Sequence, residues 1–460
     1  MLPTEKNKNY PVLLLLSLYL ITEMGVFNAM FFVTHFFLFD RLRLTEEYRQ
    51  LSFLANIMWI ALLFFLGDMR DFFKNNREDT LKKSLRFVGF YISLFALCVI
   101  FLIDESISKV LLAYYLFGVA LFIPIVRVLG FSFIFKKNVH GSFKKRAVFI
   151  GHDDYSEQFF KLLDSNNYYG IECLGFFDQS LNGAGLGELE DFYQFDVNAY
   201  DYIYVSWTVS KADLVQIISH ADKQFKKVKV LPNPNETEEI PEGFEELEDM
   251  ALLEANELPL DRFLNAALKR TFDITFSLAV FILVLSWLFP LVSLLIVFES
   301  RGPVLFRQMR NGNKNTPFVC LKFRTMVLNT EADSKWATKN DPRITRLGSI
   351  LRKTSIDELP QFFNVLKGEM SIVGPRPLPV KLNDEYKDRI EKFLQRHSYK
   401  PGITGLAQSM GFRGEIETIQ QIKARVKLDR FYLQKWSFFF DLKIILDTIR
   451  VLFKGQDKAY

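Results

Sequence analysis

Two adjacent carboxylates, Asp357 and Glu358, stand in the segment TSIDELPQFFNVLKGEMSIVGPRPL at 354–378. The segment is otherwise rich in Leu, Phe, Val and Met, so two neighbouring negative charges call for a cation or a chemical role. A carboxylate can attack phosphorus when it is ionised and when donors surround the phosphoryl oxygens. A carboxylate pair also suits Mg²⁺, which binds one or two carboxylates together with substrate phosphates and water.

The residues around the pair predict its local structure. Pro360 suits the first turn of a helix that runs to Gly368, which would place the pair at a positive helix N-terminus. We expect that field to lower the pKa of a carboxylate and to attract phosphate. Ser355 and Glu358 also have the spacing of a capping box, so a purely structural cap is the alternative. A cap and a catalytic role can coexist.

Basic residues near the pair could bind phosphate. A guanidinium can clamp a phosphate with two hydrogen bonds, although an ordinary surface ion pair is the alternative for each residue. Lys322 and Arg324 alternate with apolar neighbours as they would on one face of a strand, and Arg376 lies in a proline-flanked turn. The candidate phosphate ligands are Lys322, Arg324, Arg343, Arg352 and Arg376.

Charge and composition narrow the class of protein. Residues 301–460 hold 30 Lys and Arg against 16 Asp and Glu, whereas residues 1–300 hold 27 against 37. A basic C-terminal part in a chain with 49% hydrophobic residues indicates anionic lipid or phosphorylated substrates. No nucleic-acid-binding motif accompanies the charge, so we expect no nucleic-acid partner. The three scattered cysteines favour a reducing compartment over a disulfide framework or zinc site.

Apolar runs predict a membrane domain at the start of the chain. Runs at about 11–33, 51–67, 87–103 and 110–126 are each long enough for a transmembrane helix, which predicts a four-helix transmembrane domain over 1–135. The loop at 68–86 and the stretch at 136–146 are rich in Lys and Arg. The positive-inside rule therefore places both ends of the bundle in the cytoplasm.

The next part of the chain predicts a soluble domain. Residues 136–233 alternate between strand and helix patterns, typical of a small Rossmann-like α/β domain. Its first turn, GHDDYSEQ, lacks the GxGxxG motif, and Asp153 and Asp154 would repel a pyrophosphate. We therefore favour a regulatory or assembly role over dinucleotide binding. Residues 234–262 are rich in glutamate and predict a solvated acidic linker.

The longest apolar run, 271–298, allows two interpretations. It could be a fifth transmembrane helix, but it would then deliver the basic domain 263–460 to the outer face. It could instead dip into the bilayer and return, because Pro290 removes a backbone hydrogen bond and forces a kink. Ser286 could bond back to the preceding turn. Basic residues flank both ends of the run.

The motifs of residues 268–450 carry a resemblance to a known family. In order they are KRTFD, GPVLFRQMRNG, KFRTM, DPRITRLGSILRKTSIDELPQFFNVLKGEMSIVGPRPL, KPGITGLAQ and WSFFFDLKIILDT. They resemble the bacterial sugar transferases, which are monotopic phosphoglycosyl transferases. The four membrane segments and the α/β domain resemble the large subgroup that starts exopolysaccharide or O-antigen synthesis. This resemblance favours the re-entrant form of 271–298 and an α/β catalytic domain with interfacial amphipathic helices.

The resemblance also implies a reaction. A UDP-sugar gives its sugar-1-phosphate to undecaprenyl (polyprenyl) phosphate, and UMP is released. Asp357 matches the nucleophile of the family's Asp-Glu pair, Glu358 would help to hold Mg²⁺ or manage a proton, and the five basic residues would bind substrate phosphates. The enzyme would lie in the bacterial inner membrane with its catalytic domain facing the cytoplasm.

Three questions stay open at this stage. Direct displacement without a covalent intermediate would use the same architecture. A membrane scaffold that regulates polysaccharide assembly is the non-catalytic alternative. The sequence identifies neither the sugar, for which glucose or galactose is the default, nor the oligomeric state, so a homodimer is left open.

Overall fold

The computed structural model describes the chain except for residues 1–9, 42, 66–76, 103–106, 138–143, 167–169, 182–184, 233–244, 248–249, 328–340, 413–417 and 455–460. The helices are α1 (Tyr10–Phe39), α2 (Glu46–Phe65), α3 (Arg77–Leu102), α4 (Lys109–Lys137), α5 (Asp154–Ser165), α6 (Leu189–Gln194), α7 (Lys211–Lys223), α8 (Phe263–Val280), α9 (Ser286–Glu299), α10 (Arg346–Lys353), α11 (Gln361–Lys367), α12 (Val380–Tyr386), α13 (Leu406–Ser409), α14 (Ile419–Gln434) and α15 (Phe438–Lys454). The strands are β1 (Lys145–Ile150), β2 (Ile171–Phe177), β3 (Tyr202–Ser206), β4 (Lys227–Leu231), β5 (Glu245–Leu247), β6 (Met250–Glu254), β7 (Leu305–Asn311), β8 (Pro317–Phe323), β9 (Ser371–Val373) and β10 (Gly402–Thr404).

The chain forms two compact units. The first contains residues 1–209 and 229–253, and the second contains residues 210–228 and 254–460. The domain boundaries predicted at 135, 233 and 262 remain predictions. A compact unit need not coincide with a domain that folds independently.

Helices α1–α4 pack around an aromatic core in the first unit. The ring of Phe27 lies 4.4 Å from that of Trp59 and 5.5 Å from that of Tyr91, measured between centroids. A buried ion pair joins α1 to α4, with Arg127 Nη2 2.9 Å from Glu23 Oε1. Because a charge inside an apolar bundle is costly without a partner, this pair fixes the register of the two helices.

Four helical segments are long and apolar enough to cross a membrane. They are Leu20–Phe39, Glu78–Ile100, Lys109–Phe133 and Leu264–Glu299. Three match predicted apolar runs of the N-terminal part, and the fourth contains the run 271–298. The predicted run at 51–67 lies mostly in α2. The described residues of α2 do not meet the criteria of length and hydropathy that the other four segments satisfy. Its first turn carries Glu46, Glu47 and Arg49. The basic residues expected at 66–76 lie outside the described residues.

The predicted α/β sheet is present. Its six strands have the order β2-β1-β3-β4-β6-β5, in which β1 is parallel to both β2 and β3, and β5 is antiparallel to β6. The prediction that residues 234–262 form a solvated linker is therefore wrong in part, because 245–247 and 250–254 are strands of this sheet. Burial of Ala251 and Leu252 explains why this glutamate-rich segment forms a strand. Residues 234–244 of that stretch lie outside the described residues.

The first turn of this sheet is occupied by its own acidic side chain. Asp153 caps α5 by accepting a hydrogen bond from Ser156 N at 2.6 Å, and its second oxygen accepts one from Ser206 Oγ at 2.7 Å. The carboxylate thus fills the helix N-terminus where a dinucleotide phosphate would bind in a Rossmann domain. The expectation that the turn does not bind a dinucleotide stays a prediction.

Helices α8 and α9 form one bent apolar element in the second unit. A π-helical turn, Phe281–Leu285, joins them, and Ser286 N donates to Phe281 O. The shift frees the carbonyl of Ile282, which accepts a hydrogen bond from Ser286 Oγ at 2.7 Å. Pro290 lies one turn further along in α9. The irregular turn and the proline together explain how this element departs from a straight helix.

Charged residues fasten the start of α8 to the globular part of the second unit. Lys269 Nζ donates to Asp441 Oδ2 at 2.7 Å, and both side chains are fully buried. Arg270 donates to Val365 O at 2.6 Å, at the C-terminal end of α11. Asp273 Oδ1 accepts from Ser371 Oγ and Ile372 N, at 3.0 and 3.1 Å. These bonds tie the membrane element to helices and strands that build the candidate site.

The other end of the bent element is fastened to the same unit. Arg324 donates to Arg301 O at 2.9 Å and to Ser300 O at 2.6 Å, just beyond the last residue of α9. Glu299 Oε1 accepts from Leu347 N, the second residue of α10, at 2.9 Å. A straight helix of 36 residues would be about 54 Å long. Both ends of this element are bonded to the second unit, and Phe281 and Phe289 between them pack on Phe363.

Two small strand pairs complete the second unit. β7 and β8 form an antiparallel hairpin, and β9 and β10 are parallel. Gly374, Gly402 and Gly405 let the chain after β9 approach the β10 segment closely, since a Cβ at Gly402 would overlap Gly374 N. The glycines of the motif KPGITGLAQ thus have a packing reason.

Candidate functional site

The acidic pair lies on a short helical turn, Ile356–Glu358, between α10 and α11. Ser355, the residue before the turn, has a φ of +58°. This value lies in the left-handed region of backbone conformation, which residues other than glycine and asparagine rarely adopt. Backbone strain of this kind is typical of functional sites. The turn therefore orients the two carboxylates at the expense of local backbone energy.

Four of the predicted residues form one ion cluster. Lys322 Nζ lies 2.7 Å from Glu358 Oε1, and Arg376 Nη2 lies 2.9 Å from the same oxygen. Lys322 Nζ is also 3.6 Å from Asp357 Oδ2. Asp357 and Glu358 are only 8% and 5% exposed. The structure therefore brings the acidic pair, Lys322 and Arg376 together in a nearly water-free place, where charges interact strongly.

Burial changes the protonation of the pair. Burial raises the pKa of Asp357 above its usual value, and the neighbouring charge of Glu358 adds to that effect. Lys322, Arg352 and Arg376 act in the opposite direction without cancelling the increase. Burial disfavours the Arg376 cation, but the ion pair with Glu358 outweighs it, so the pKa of Arg376 is raised. The cations are thus what permits a buried aspartate to ionise.

The expected lowering of the carboxylate pKa is wrong for Asp357. Pro360 is the N-cap of α11 and not its first residue, so the acidic turn precedes the helix that was expected to start beside it. Ser355 makes no side-chain cap, and the capping-box alternative is not what the structure contains. Desolvation of Asp357 outweighs the positive helix end, which only the folded packing could reveal.

Arg352 and Arg343 lie at the edge of the cluster. Arg352 Nε donates to Thr325 Oγ1 at 2.8 Å, and burial lowers its pKa while the charges of Asp357 and Asp341 favour the cation. Arg343 binds Asp341, with Nη2 2.6 Å from Oδ2. Arg352 therefore shares the electrostatic environment of Asp357, and Arg343 enters it through Asp341.

Arg324 is not brought into the cluster. The strand pattern ends at Phe323, the last residue of β8, so the predicted shared face with Lys322 does not extend to residue 324. Arg324 is 5% exposed, and its guanidinium caps the carbonyls at the end of α9. Its Nε has no hydrogen-bond partner among the described residues. The guanidinium thus positions the membrane element in this structure.

Asn364 and Gly348, which were not among the predicted site residues, hold the site in place. Asn364 of α11 accepts from Leu321 N at 3.0 Å and donates to Val319 O at 2.7 Å, which locks α11 against the strand that carries Lys322. Gly348 of α10 packs so closely on Thr325 O that no side chain fits there. The sequence signal for Asn364 is a single polar residue among the apolar residues of QFFNVLK. Nothing in the local sequence marks Gly348.

A buried histidine near the cluster has a structural role. His397 Nε2 lies 2.8 Å from Asn383 Oδ1, and Nδ1 lies 3.2 Å from Gly312 O. Burial and the charge of Arg396 lower the pKa of His397 to about 3. The ring is neutral near pH 7 and bound on both sides, which does not suit a general base.

The acidic pair fits a magnesium ion only in part. Among the described residues, no cluster of three or more His, Cys, Asp or Glu side chains could hold a metal. Mg²⁺ often binds one or two carboxylates and fills its remaining positions with substrate phosphates and water. Asp357 and Glu358 supply that minimal set.

An ionisable pair beside three cations, on a unit with its own membrane element, suits an enzyme that acts on phosphorylated molecules. The family model described as bacterial sugar transferase matches residues 264–455, which contain the whole site. The chain belongs to the bacterial sugar transferase family, and it is a sugar transferase enzyme.

Relatives extend beyond the matched region. A UDP-glucose:undecaprenyl-phosphate glucose-1-phosphate transferase of Klebsiella pneumoniae is 35% identical over 68% of this chain and 68% of its own length. A protein with the same name from Xanthomonas campestris pv. campestris is 31% identical over 78% of this chain and 76% of its own. A UDP-galactose-lipid carrier transferase of Erwinia amylovora is 31% identical over 69% and 70%.

The contact between Lys322 and Asp357 can be tested directly. Lys322→Met removes the nearest cation, so we expect the pKa of Asp357 to rise further and its ionised fraction at a given pH to fall. Titration of carbon-13-labelled aspartate carboxyls by NMR measures this, with the exposed Lys427→Met as the matched control. An unchanged Asp357 pKa in Lys322→Met would contradict the electrostatic account.

Proposed function

We propose that this enzyme transfers a sugar-1-phosphate from a UDP-sugar to undecaprenyl phosphate and releases UMP, as the first membrane step of exopolysaccharide, capsule or O-antigen synthesis. The names of the Klebsiella and Xanthomonas relatives support the two substrates. The observation that carries the proposal is the desolvated Asp357–Glu358 pair beside Lys322 and Arg376. The relatives' names include both glucose and galactose, so these are the first two donor sugars to assay.

The proposed reaction has two displacements at one phosphorus. An ionised oxygen of Asp357 attacks the β-phosphorus, which carries the sugar, and the bond to the bridging oxygen breaks. UMP leaves with that electron pair. A phosphate oxygen of the polyprenyl phosphate then attacks the same phosphorus, and the aspartyl–phosphate bond breaks to restore the carboxylate. Two easier steps replace one difficult one, which is the usual benefit of covalent catalysis.

The cations have separate parts in this proposal. Lys322 favours the ionised form of Asp357, because the amine lies 3.6 Å from its oxygen. Arg376, and Arg352 at the edge of the cluster, would bind the phosphoryl oxygens as negative charge develops there. Arg343 would assist through its position beside Arg352. Arg324 would act on the site indirectly, by holding the chain just after the end of α9.

We also propose that Mg²⁺ takes part in the reaction. Asp357 and Glu358 would hold it, with the diphosphate of the donor completing the coordination. The ion would neutralise phosphate charge and stabilise the departing UMP. Glu358 already accepts from Lys322 and Arg376, so those two cations position the carboxylate toward whatever the pair binds.

We also propose that α8 and α9 form a re-entrant membrane element and that the second unit faces the cytoplasm. Support comes from both ends of the element being bonded to the same globular unit, through Arg270 at the start and Arg324 at the end. A spanning helix would separate those ends by the bilayer. The inner bacterial membrane is the location that the undecaprenyl phosphate substrate implies.

The nucleophile is tested by Asp357→Asn. We expect at least a roughly 10³-fold loss of UMP release, because the amide cannot form the aspartyl (acyl) phosphate. The melting temperature should be unchanged or higher, since a buried carboxylate with a raised pKa is replaced by a neutral group. UMP release from UDP-glucose and UDP-galactose with undecaprenyl phosphate measures the activity, and the exposed Asp384→Asn is the matched control.

Three results separate the alternatives for Asp357. Near-normal UMP release by Asp357→Asn would remove it from the chemistry. A radiolabelled sugar phosphate trapped on the wild-type protein without acceptor, and absent from Asp357→Asn, would support the covalent route over direct displacement. No UMP release by the wild type from any UDP-sugar would favour the scaffold alternative.

The magnesium proposal is tested by removing the ion. Chelation with EDTA should stop UMP release, and added Mg²⁺ should restore it, because two carboxylates alone cannot neutralise a diphosphate. Glu358→Gln should raise the Mg²⁺ concentration needed for half-maximal rate, with the exposed Glu385→Gln as its control. Full activity in EDTA would exclude this use of the pair.

The membrane topology is tested with single cysteines at the two ends of the bent element. In a background without Cys98, Cys173 and Cys320, Arg262→Cys and Arg301→Cys should both react with an impermeant maleimide in inside-out vesicles. Neither should react in intact spheroplasts. Labelling of the two positions from opposite sides would establish a spanning helix instead.

A further inference from the structure

A small cavity lies beside the acidic pair, and its position differs from that of the ion cluster. Its volume is about 190 Å³, and Glu358 is its one charged lining residue. Pockets that enclose a whole small ligand usually measure roughly 300–1,000 Å³. The cavity therefore has room for a segment of a molecule, with the rest of that molecule elsewhere.

The cavity wall is apolar. Its apolar lining residues include Leu359, Phe362, Ile403 and Val451. The threonines of the wall use their hydroxyls within the protein. Thr404 Oγ1 is 2.6 Å from Thr448 Oγ1, which in turn donates to Ile444 O at 2.7 Å. Because these hydroxyls are already bonded, the threonines contribute mainly their methyl groups to the cavity wall. A sugar bound there would have few hydrogen-bond partners for its hydroxyls.

The helix that closes the cavity also has an exposed apolar face. Thr448 and Val451 of α15 line the cavity, whereas Phe439 and Leu446 of the same helix are 79% and 56% exposed. An amphipathic helix with large exposed apolar residues and basic neighbours suits the headgroup region of a bilayer. A hydrocarbon in the cavity would thus lie between the acidic pair and a helix suited to lipid.

We propose that this cavity binds the first isoprene segment of the polyprenyl phosphate acceptor, which directs its phosphate toward Asp357. The inference rests on the proposed function and assigns the cavity to the acceptor and not to the donor. Glu358 borders the cavity and also binds Lys322 and Arg376, so a phosphate at the head of the chain would meet that cation pair. The remaining isoprene units would extend into the bilayer.

One polar atom favours the other assignment and shapes the test. Gln408 lines the cavity, and its Oε1 is buried with no hydrogen-bond partner among the described residues. A sugar hydroxyl could donate to it. Donor binding and acceptor binding must therefore be measured separately.

The experiment fills the cavity with Val451→Phe and Ile403→Phe. The control is Ile449→Phe, on α15 but 43% exposed. With undecaprenyl phosphate and UDP-glucose in lipid nanodiscs, both cavity variants should raise the acceptor KM about tenfold, as expected from losing roughly two buried methylene groups. Their KM for UDP-glucose and their single-turnover UMP release without acceptor should match the wild type, which also shows that they fold.

The other results overturn the inference in distinct ways. A raised KM for UDP-glucose with an unchanged acceptor KM would assign the cavity to the donor sugar. Unchanged values for both substrates, or an equal loss of both half-reactions, would show that no acceptor segment binds there. Absence of UMP release from the wild type with every UDP-sugar would overturn the proposed function itself, and this inference with it.

Discussion

The buried ion pair between Lys269 and Asp441 is the contact on which the second unit depends. Asp441 also accepts from Tyr432 OH at 2.8 Å and from Trp436 Nε1 at 3.1 Å, and Tyr432 OH lies 3.0 Å from Val373 O. One carboxylate thus joins α8, α14, α15 and, through the tyrosine, β9. Removing one partner of such a pair leaves an uncompensated buried charge, which typically costs about 3–5 kcal/mol. The pair therefore specifies one arrangement of the membrane element on the globular unit.

That arrangement is continuous with the site. Arg270, next to Lys269, binds the C-terminal end of α11, and the N-terminal end of α11 follows directly after the acidic turn. Asn364 holds the middle of α11 to the strand that carries Lys322. A rigid path of one short helix consequently connects the base of the membrane element to Asp357. The proposed reaction, which joins a water-soluble donor to a lipid acceptor, would need such a fixed distance between the bilayer and Asp357.

The sequence predicts the parts of this protein whose signal is local. Apolar runs identify α1, α3, α4 and the bent element, because a bilayer demands uninterrupted hydrophobicity over a known length. Adjacent charges in an apolar segment identify Asp357 and Glu358. Two further results depend on tertiary packing. Strand β6 lies in a glutamate-rich stretch, and the direction of the Arg324 side chain is decided by the carbonyls at the end of α9. Neither leaves a periodic pattern, so neither could be predicted.

The same distinction applies to the charge of Asp357, the proposed nucleophile, because burial disfavours its ionised form. Because the folded pKa of Asp357 is raised, its proton stabilises the folded state fully below the unfolded pKa, and this stabilisation is lost as pH rises through the folded pKa. The ionised form that the proposed attack needs is thus the form that the fold favours less. The charges of Lys322, Arg352 and Arg376 act in favour of that ionised form. A carboxylate that its surroundings solvate poorly gains more from bonding to phosphorus than a well-hydrated one, so burial would favour the proposed attack once Asp357 is ionised.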